Sequence, residues 1–400
     1  MTTTTTDTTT FFEPLRIVTL CYEWPPVGGG GGRAAKELAE ALARRGHQVR
    51  VQTIRFDGTP AHETIHGVNV YRSWGFRRRA DQCTPLEMAG YLVSSAIPTL
   101  RHLAEFRPHL IHAHFAVPTG ALALGGSYFS RRPYVLTAHL GDVPGAIPEQ
   151  TATLFRWLNP LIRPIWRKAA AVVGVSKFVG DLAQKAYGRE LTIIPNGLSL
   201  SGRPGIPEPS SAPPRLIFVG RLNSQKNLQY LPPILAELRE LEWEFDIVGD
   251  GAERHTLETA FAECGLSGKV HFHGWLDRSA VEDKLKEAEI FILPSLVEGL
   301  SVAVLEAMKF GLLLVGSEIP TLHECVSFDV NGYLVPLQSP RQWVDKLRTL
   351  LSNPALRLAM RHKSWKMVER FDLEAITDQY EMLFRKIALT AGDRFSAKAK

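Results

Sequence analysis

The chain has 400 residues, of which 45% are apolar, 22% charged and 9% aromatic, with a net charge of +5. That composition suits a globular protein of two or three domains and excludes collagen-like, coiled-coil and wholly disordered chains. The longest apolar runs, Ala169–Val175 and Ile290–Pro294, fall far short of the ~20 residues a membrane-spanning helix needs, and no basic-then-apolar leader opens the sequence. Met1–Thr10 is almost entirely Thr and is expected to be a disordered tail. Cys21, Cys83, Cys264 and Cys325 stand far apart, so no local metal or redox pair forms, and a reducing, cytoplasmic compartment is expected. The charge is uneven: residues 1–200 carry 22 Lys+Arg against 14 Asp+Glu, whereas residues 201–400 carry 24 against 27. A basic first half suits phosphorylated substrates, an anionic membrane or nucleic acid.

In chain order, Arg16–Cys21, Val49–Ile54, Val68–Tyr71, Leu110–Ala113, Val135–Ala138, Ala171–Val175 and Thr192–Ile194 read as strands. They alternate with amphipathic segments such as Ala34–Arg45. Five prolines within residues 201–214 rule out a regular helix or central strand, so this stretch is the expected linker. Beyond it, Leu216–Val219, Phe245–Val248, Val270–Phe272, Ile290–Leu293, Leu312–Val315 and Tyr333–Val335 repeat the alternation. Continuous apolar strands between helices imply parallel sheets covered on both faces. The expected organisation is two Rossmann-like α/β domains, 11–200 and 215–372, with a site at the strands' carboxyl ends in the cleft between them. A terminal helix over 373–390, with Ile376, Tyr380, Leu383 and Ile387 at helical spacing, is expected to cross back to the first domain.

Three constellations carry chemistry. Strand Arg16–Cys21 runs into Pro25-Pro26-Val27 and five glycines, Gly28 to Gly32, before Arg33 and a helix. Glycines admit close approach of a ligand, and the helix start presents N–H groups to an anion. The spacing is neither a dinucleotide fingerprint nor a Walker A loop. Strand Leu216–Val219 is followed by Gly220-Arg221-Leu222-Asn223-Ser224-Gln225-Lys226, placing two cations at a sheet's carboxyl edge where they could neutralise a diphosphate. Strand Ile290–Leu293 leads to Glu298 in a loop and Glu306 in the next helix, a pair suited to sugar or ribose hydroxyls.

Weaker signals stand beside these. His112 and His114 share a strand face, a pattern that more often means hydrogen-bonded residues than metal ligands. Leu154–Lys168 mixes Phe155, Trp157 and Trp166 with four cations, and with the Arg77-Arg78-Arg79 run it suggests peripheral membrane contact. No interleaved aromatic and basic motif supports nucleic-acid binding.

Taken together, these segments resemble the family 4 retaining glycosyltransferases of GT-B fold. The resemblance runs from about Leu15 to Leu389 and rests on PPVGGGGGRAAKELAEALARRGHQV from Pro25, IHAHFAVPTG from Ile111, TAHLGDV from Thr137, VGVSKFVGD from Val173, PNGL from Pro195, VGRLNSQKN from Val219, IVGDG from Ile247 and SLVEGLSVAVLEAM from Ser295. The last contains the family's E-x7-E signature. The resemblance implies two Rossmann-like domains facing across a cleft, and transfer of a sugar from a UDP- or GDP-sugar to a hydroxyl acceptor with retention, in polysaccharide, glycolipid or glycosylated-metabolite synthesis. The acceptor is expected to be a sugar, a lipid-linked glycan or a small molecule. It implies catalytic roles for Arg221, Lys226, Glu298 and His139, and substrate-binding roles for Gly28, Gly29, Gly30, Asp142, Asn196, Gly220, Gly249, Gly299, Leu300, Ser301 and Glu306. Arg221 and Lys226 would stabilise the diphosphate, Glu298 and His139 would lie beside the donor sugar, and Glu306 would hold the ribose. Two segments depart from the common pattern: His139-Leu140-Gly141-Asp142 replaces His-Gly-x-Asp, and Gly299-Leu300-Ser301-Val302 replaces Gly-Phe-Gly-Leu/Ile. The absence of a DxD motif implies no metal and no cofactor. A GT-B-like nucleotide-sugar epimerase and a non-enzymatic nucleotide-sugar or membrane-binding module are the alternative readings.

Overall fold

A computed structural model describes residues 13–80, 83–144, 159–207 and 212–398, with side chains to residue 391. The Thr-rich start, Leu154 to Leu158 of the aromatic segment and residues 208–211 of the linker lie outside the described residues. Two sheets divide the chain. The first contains β1 (Arg16–Cys21), β2 (Gln48–Ile54), β3 (His62–Ile65), β4 (Val68–Ser73), β5 (Leu110–His114), β6 (Tyr134–Ala138), β7 (Ala171–Gly174) and β8 (Thr192–Ile193), in the order β3-β4-β2-β1-β5-β6-β7-β8. The second contains β9 (Arg215–Val219), β10 (Glu244–Val248), β11 (Val270–Gly274), β12 (Ile290–Leu293), β13 (Leu313–Ser317) and β14 (Gly332–Val335), in the order β11-β10-β9-β12-β13-β14. Every pairing among them is parallel except β3 with β4. Strands such as Ile290–Leu293 and Leu313–Ser317 are buried along their whole length because helices cover both faces. The strand order reverses between β1 and β5 in one sheet and between β9 and β12 in the other, the positions where open α/β sheets bind ligands.

One reading of the sequence needs correction, and one strand was not read from it. The first helix begins at Gly30, inside the glycine run, with Gly29 extended as its N-cap; glycine's poor helix propensity hides this start. The short strand β3 is half-exposed and antiparallel at the sheet edge, so its pattern lacks the apolar run that marks the others.

The final helix, Leu373–Lys398, belongs to the first domain. Ile376, Tyr380 and Phe384 are buried in one cluster with Leu38, Leu42 and Val49, each such side chain worth about 1.5–3 kcal/mol of transfer free energy. Tyr380 Oη lies 3.1 Å from Thr137 Oγ1 on β6. Arg45 forks onto Glu374 at 2.8 Å and reaches Asp378 at 2.6 Å. Where the chain crosses back, Leu198 N–H donates to Phe371 O (2.9 Å) and Leu373 N–H to Leu198 O (3.0 Å), so the outward and return crossings pair with each other. The outward linker lies on the second domain: the Arg203 guanidinium stacks 3.6 Å from the Trp365 ring centre, and Trp365 Nε1 donates to Pro204 O at 2.9 Å.

Candidate active site

In the second domain the loops after β9 and β12 are sewn together. Leu296 N–H donates to Gln225 O (2.9 Å), Gln225 Nε2 to Val297 O (3.0 Å) and Asn227 Nδ2 to Pro294 O (3.2 Å). The Asn223 side chain accepts the Lys226 N–H at 3.3 Å, capping the short turn Ser224–Lys226. Lys226 is thereby aimed at Glu298, with Nζ 2.7 Å from Oε1. Glu298 and Glu306 are both buried, Glu306 inside the Val302–Lys309 helix whose N-cap is Ser301. Gly249 has φ +127°, and a Cβ there would stand 1.9 Å from Gly220 O. These two glycines let the turns after β9 and β10 stack backbone on backbone beneath Arg221, a packing role.

In the first domain the glycine loop folds against the end of β1. A Cβ on Gly32 would overlap Glu23 O at 1.5 Å, so only glycine fits where the helix leaves the strand end. Gly29 N–H donates to Glu23 Oε2 at 3.2 Å. Beside it, His139 stacks on Phe115 with ring centres 4.4 Å apart, and its Nε2 lies 3.4 Å from His114 Nδ1. Phe115 itself holds φ +72°, unusual for an aromatic residue. Burial holds the imidazoles of His112, His114 and His139 in their neutral form, pushing His112 down to about 3 and His139 to about 4. His112 Nε2 is 2.9 Å from Thr137 Oγ1. Among the described residues no group of three or more His, Cys, Asp or Glu is arranged to hold a metal ion.

Two expected substrate ligands are used by the protein itself. Asp142 accepts Ala116 N–H at 2.6 Å and His139 N–H at 2.8 Å, tying the ends of β5 and β6 together. Burial pushes its carboxyl up to about 7 against the pull of those amide donors. Asn196 Nδ2 donates to Leu300 O (3.0 Å), joining the two domains at the floor of the cleft.

The cleft walls meet. A Cβ on Gly29 would lie 3.7 Å from Arg221 Nη2, one on Gly30 3.3 Å from Val302, one on Gly31 3.0 Å from His139 and one on Gly299 3.3 Å from Leu140. Gly29 and Gly30 therefore face Arg221 and Val302 across the cleft and Gly299 faces Leu140, while Gly31 packs on His139 within the first domain. Arg33 was missed as a functional residue. Its guanidinium grips Glu306 across the cleft, at 2.5 and 3.3 Å. One turn on, Glu37 meets Arg278 at 3.3 Å. Burial raises the Glu37 carboxyl and lowers the Lys309 ammonium nearby, so an ionic cluster closes this end of the cleft. Such contacts span more than two hundred residues and leave no local signal in the sequence.

The expected membrane residues divide differently. Arg77 is buried, donating to Arg79 O and Ala80 O at 3.0 Å each and lying over the Tyr22 ring. Trp166 is fully buried against Tyr187. Both serve the fold. No helix among the described residues is long and apolar enough to cross a membrane.

Comparison with known proteins matches the sequence model of Glycosyltransferase Family 4 to residues 28–202 and that of Glycosyl transferases group 1 to residues 206–367. A glycosyltransferase of Methanocaldococcus jannaschii is 26% identical over 93% of this chain and 100% of its own length. The glycogen synthase of Mycobacterium tuberculosis is 28% identical over 85% of this chain and 87% of its own length. Among solved structures, the sucrose-phosphate synthase of Thermosynechococcus elongatus superposes with a TM-score of 0.80 at 21% identity, covering 94% of this chain and all of that one. HepE of Anabaena, solved with UDP-glucose, does so with a TM-score of 0.74 at 18% identity, covering 93% of this chain and all of HepE. The fold is GT-B.

Proposed function

The chain belongs to the family 4 glycosyltransferases, and on that premise we propose that it transfers a sugar from a UDP- or GDP-sugar to a hydroxyl acceptor with retention and without a metal. The observation that carries this is the convergence of Arg221, the Lys226–Glu298 pair and Glu306 at the carboxyl edge of the second sheet, opposite the glycine loop. As the glycosidic bond breaks, negative charge grows on the leaving diphosphate. Arg221, Lys226 and the N-terminus of the Val302–Lys309 helix are placed to meet it, and fixed cations are worth more in the transition state than in the ground state. Glu306 takes the ribose hydroxyls, displacing Arg33. Glu298 and neutral His139 border the donor sugar. The named relatives, glycogen synthase and a putative teichuronic acid glycosyltransferase of Bacillus subtilis among them, support a role in polysaccharide or glycoconjugate synthesis and lend nothing to the epimerase reading.

We further place this enzyme in the cytoplasm, touching an anionic membrane by its first domain. Leu86, Val93 and Ile97 are exposed along the Pro85–Phe106 helix, with Trp74 and Phe76 exposed beside it and Arg78 and Arg101 at its margins. An apolar stripe flanked by arginines suits the headgroup region. Co-sedimentation with vesicles should require anionic lipid and fail for Val93→Asp/Ile97→Asp.

The deciding experiment incubates the enzyme with UDP- and GDP-sugars in EDTA, measures nucleoside diphosphate release, and reads the product's anomeric configuration by NMR. Retention and EDTA-insensitive turnover are expected. Inverted product, or activity restored only by Mg²⁺ or Mn²⁺, overturns the mechanism.

A further inference from the structure

Glu23 has no place in the donor site just described. It follows β1, the strand beside the reversal point of the first sheet, and its side chain is half-buried. Its Oε2 is fixed by the Gly29 N–H at 3.2 Å. The same Gly29 lies against the Arg221 guanidinium, 3.7 Å from where a Cβ would stand, and two residues on Gly31 abuts His139. The residue that anchors this carboxylate therefore also faces Arg221 across the cleft, from the first domain's wall. Oε1 accepts no hydrogen bond from any described residue, and the side chain is not fully buried.

We propose that Glu23 binds the acceptor, taking a hydrogen bond at Oε1 from the hydroxyl or ammonium group beside its attacking hydroxyl and so holding the attacking oxygen toward the anomeric carbon. This rests on the transferase reading above. In the step, the acceptor oxygen–anomeric carbon bond forms as the anomeric carbon–phosphate oxygen bond breaks. The electron pair leaves with the diphosphate, which also receives the hydroxyl proton. A second anion cannot share this position cheaply beside Glu23, so the reacting end of the acceptor is a neutral polyhydroxyl group or one bearing an ammonium, and not a phosphorylated one. An ionised carboxylate binds such hydroxyls or ammonium groups by charge-assisted hydrogen bonds.

The test uses Glu23→Gln. The glutamine carbonyl still accepts the Gly29 N–H, so the loop keeps its anchor while the charge is lost; a residue that only held the loop would be rescued by it. Full-length wild type and variant are given UDP-glucose and GDP-mannose with no acceptor, then with D-glucose, maltose, myo-inositol, 2-deoxystreptamine or glucose 6-phosphate. Nucleoside diphosphate release and UDP affinity are measured. Expected are stimulation of the wild type by an unphosphorylated acceptor, a loss of that stimulated rate in the variant of at least about tenfold, and UDP affinity and acceptor-free release within about twofold of wild type. Normal transfer by the variant, an equal loss of UDP affinity, or stimulation by glucose 6-phosphate alone overturns the proposal. If the wild type releases no diphosphate from any donor, the transferase reading fails and this one with it.

Discussion

The two Rossmann-like domains share a plan and differ in how they finish their carboxyl edges. The second stitches its loops to one another and leaves its charged groups, Lys226 with Glu298 and Arg221 close by, preassembled at that edge. The first does the reverse. It buries neutral imidazoles and a carboxylate, His112, His114, His139 and Asp142, in the floor and opens a glycine loop above them. The proposed task of the second domain, holding a nucleoside diphosphate, is one that a prebuilt site suits. Both domains also depart from the family's usual residues, the first at Leu140 and the second at Leu300 and Ser301.

The largest effect should come from the second domain's cations. Arg221→Ala and Lys226→Ala should each lower kcat on the order of 10²–10³-fold, with UDP affinity falling far less, as for loss of a donor preorganised toward developing charge. A normal kcat in steady-state assays of either variant would break the contrast. Next, Glu306→Gln should raise the donor KM about tenfold with kcat little changed, since ribose contacts alter little as the glycosidic bond breaks. Arg33→Ala should do the opposite and tighten UDP binding several-fold by calorimetry, because the donor no longer has to displace a guanidinium. Weaker binding in that variant would mean that Arg33 stays engaged with bound donor.

The contrast extends to acid sensitivity of the first domain. His112, His114 and His139 titrate below their unfolded value near 6.5. The unfolded chain therefore takes up more protons than the folded one below that pH. Stability is present above about 6.5 and is lost as pH falls, by roughly 1.4 kcal/mol per pH unit for each such histidine. Asp142, whose folded value lies near 7, works in the other direction between there and its usual range. The thermal midpoint should drop between pH 6.5 and 5, and His112→Gln should flatten that drop. An unchanged profile would show that the imidazoles are not what sets the first domain apart.

Much of this was legible in the sequence. Every long apolar strand was marked by its own run, and the cations and carboxylates of the donor edge stand in short, dense motifs between strand and helix. What escaped notice was either locally atypical or distant. The edge strand β3 alternates and is half-exposed, and the first helix starts in glycine. Arg33 acquires its meaning only opposite Glu306, 273 residues away. Glu23 could have been found as a carboxylate at a central strand's carboxyl end. Asn196 and Asp142 were read as ligands because their motifs were right, while their partners, Leu300 O and two backbone amides, depend on how the loops and domains come together.

The helix Leu373–Lys398 follows the whole second domain in sequence, yet its Ile376, Tyr380 and Phe384 complete the core that β1 and β2 begin. Synthesis order and assembly order are therefore opposed. The whole second domain lies between β8 and that helix, so until the helix is made the first domain has an apolar groove over Leu38, Leu42 and Val49 uncovered. A chain released early, ending near Asp372, would carry Arg221, Lys226, Glu298 and Glu306 and still present that open groove to chaperones and to its own kind.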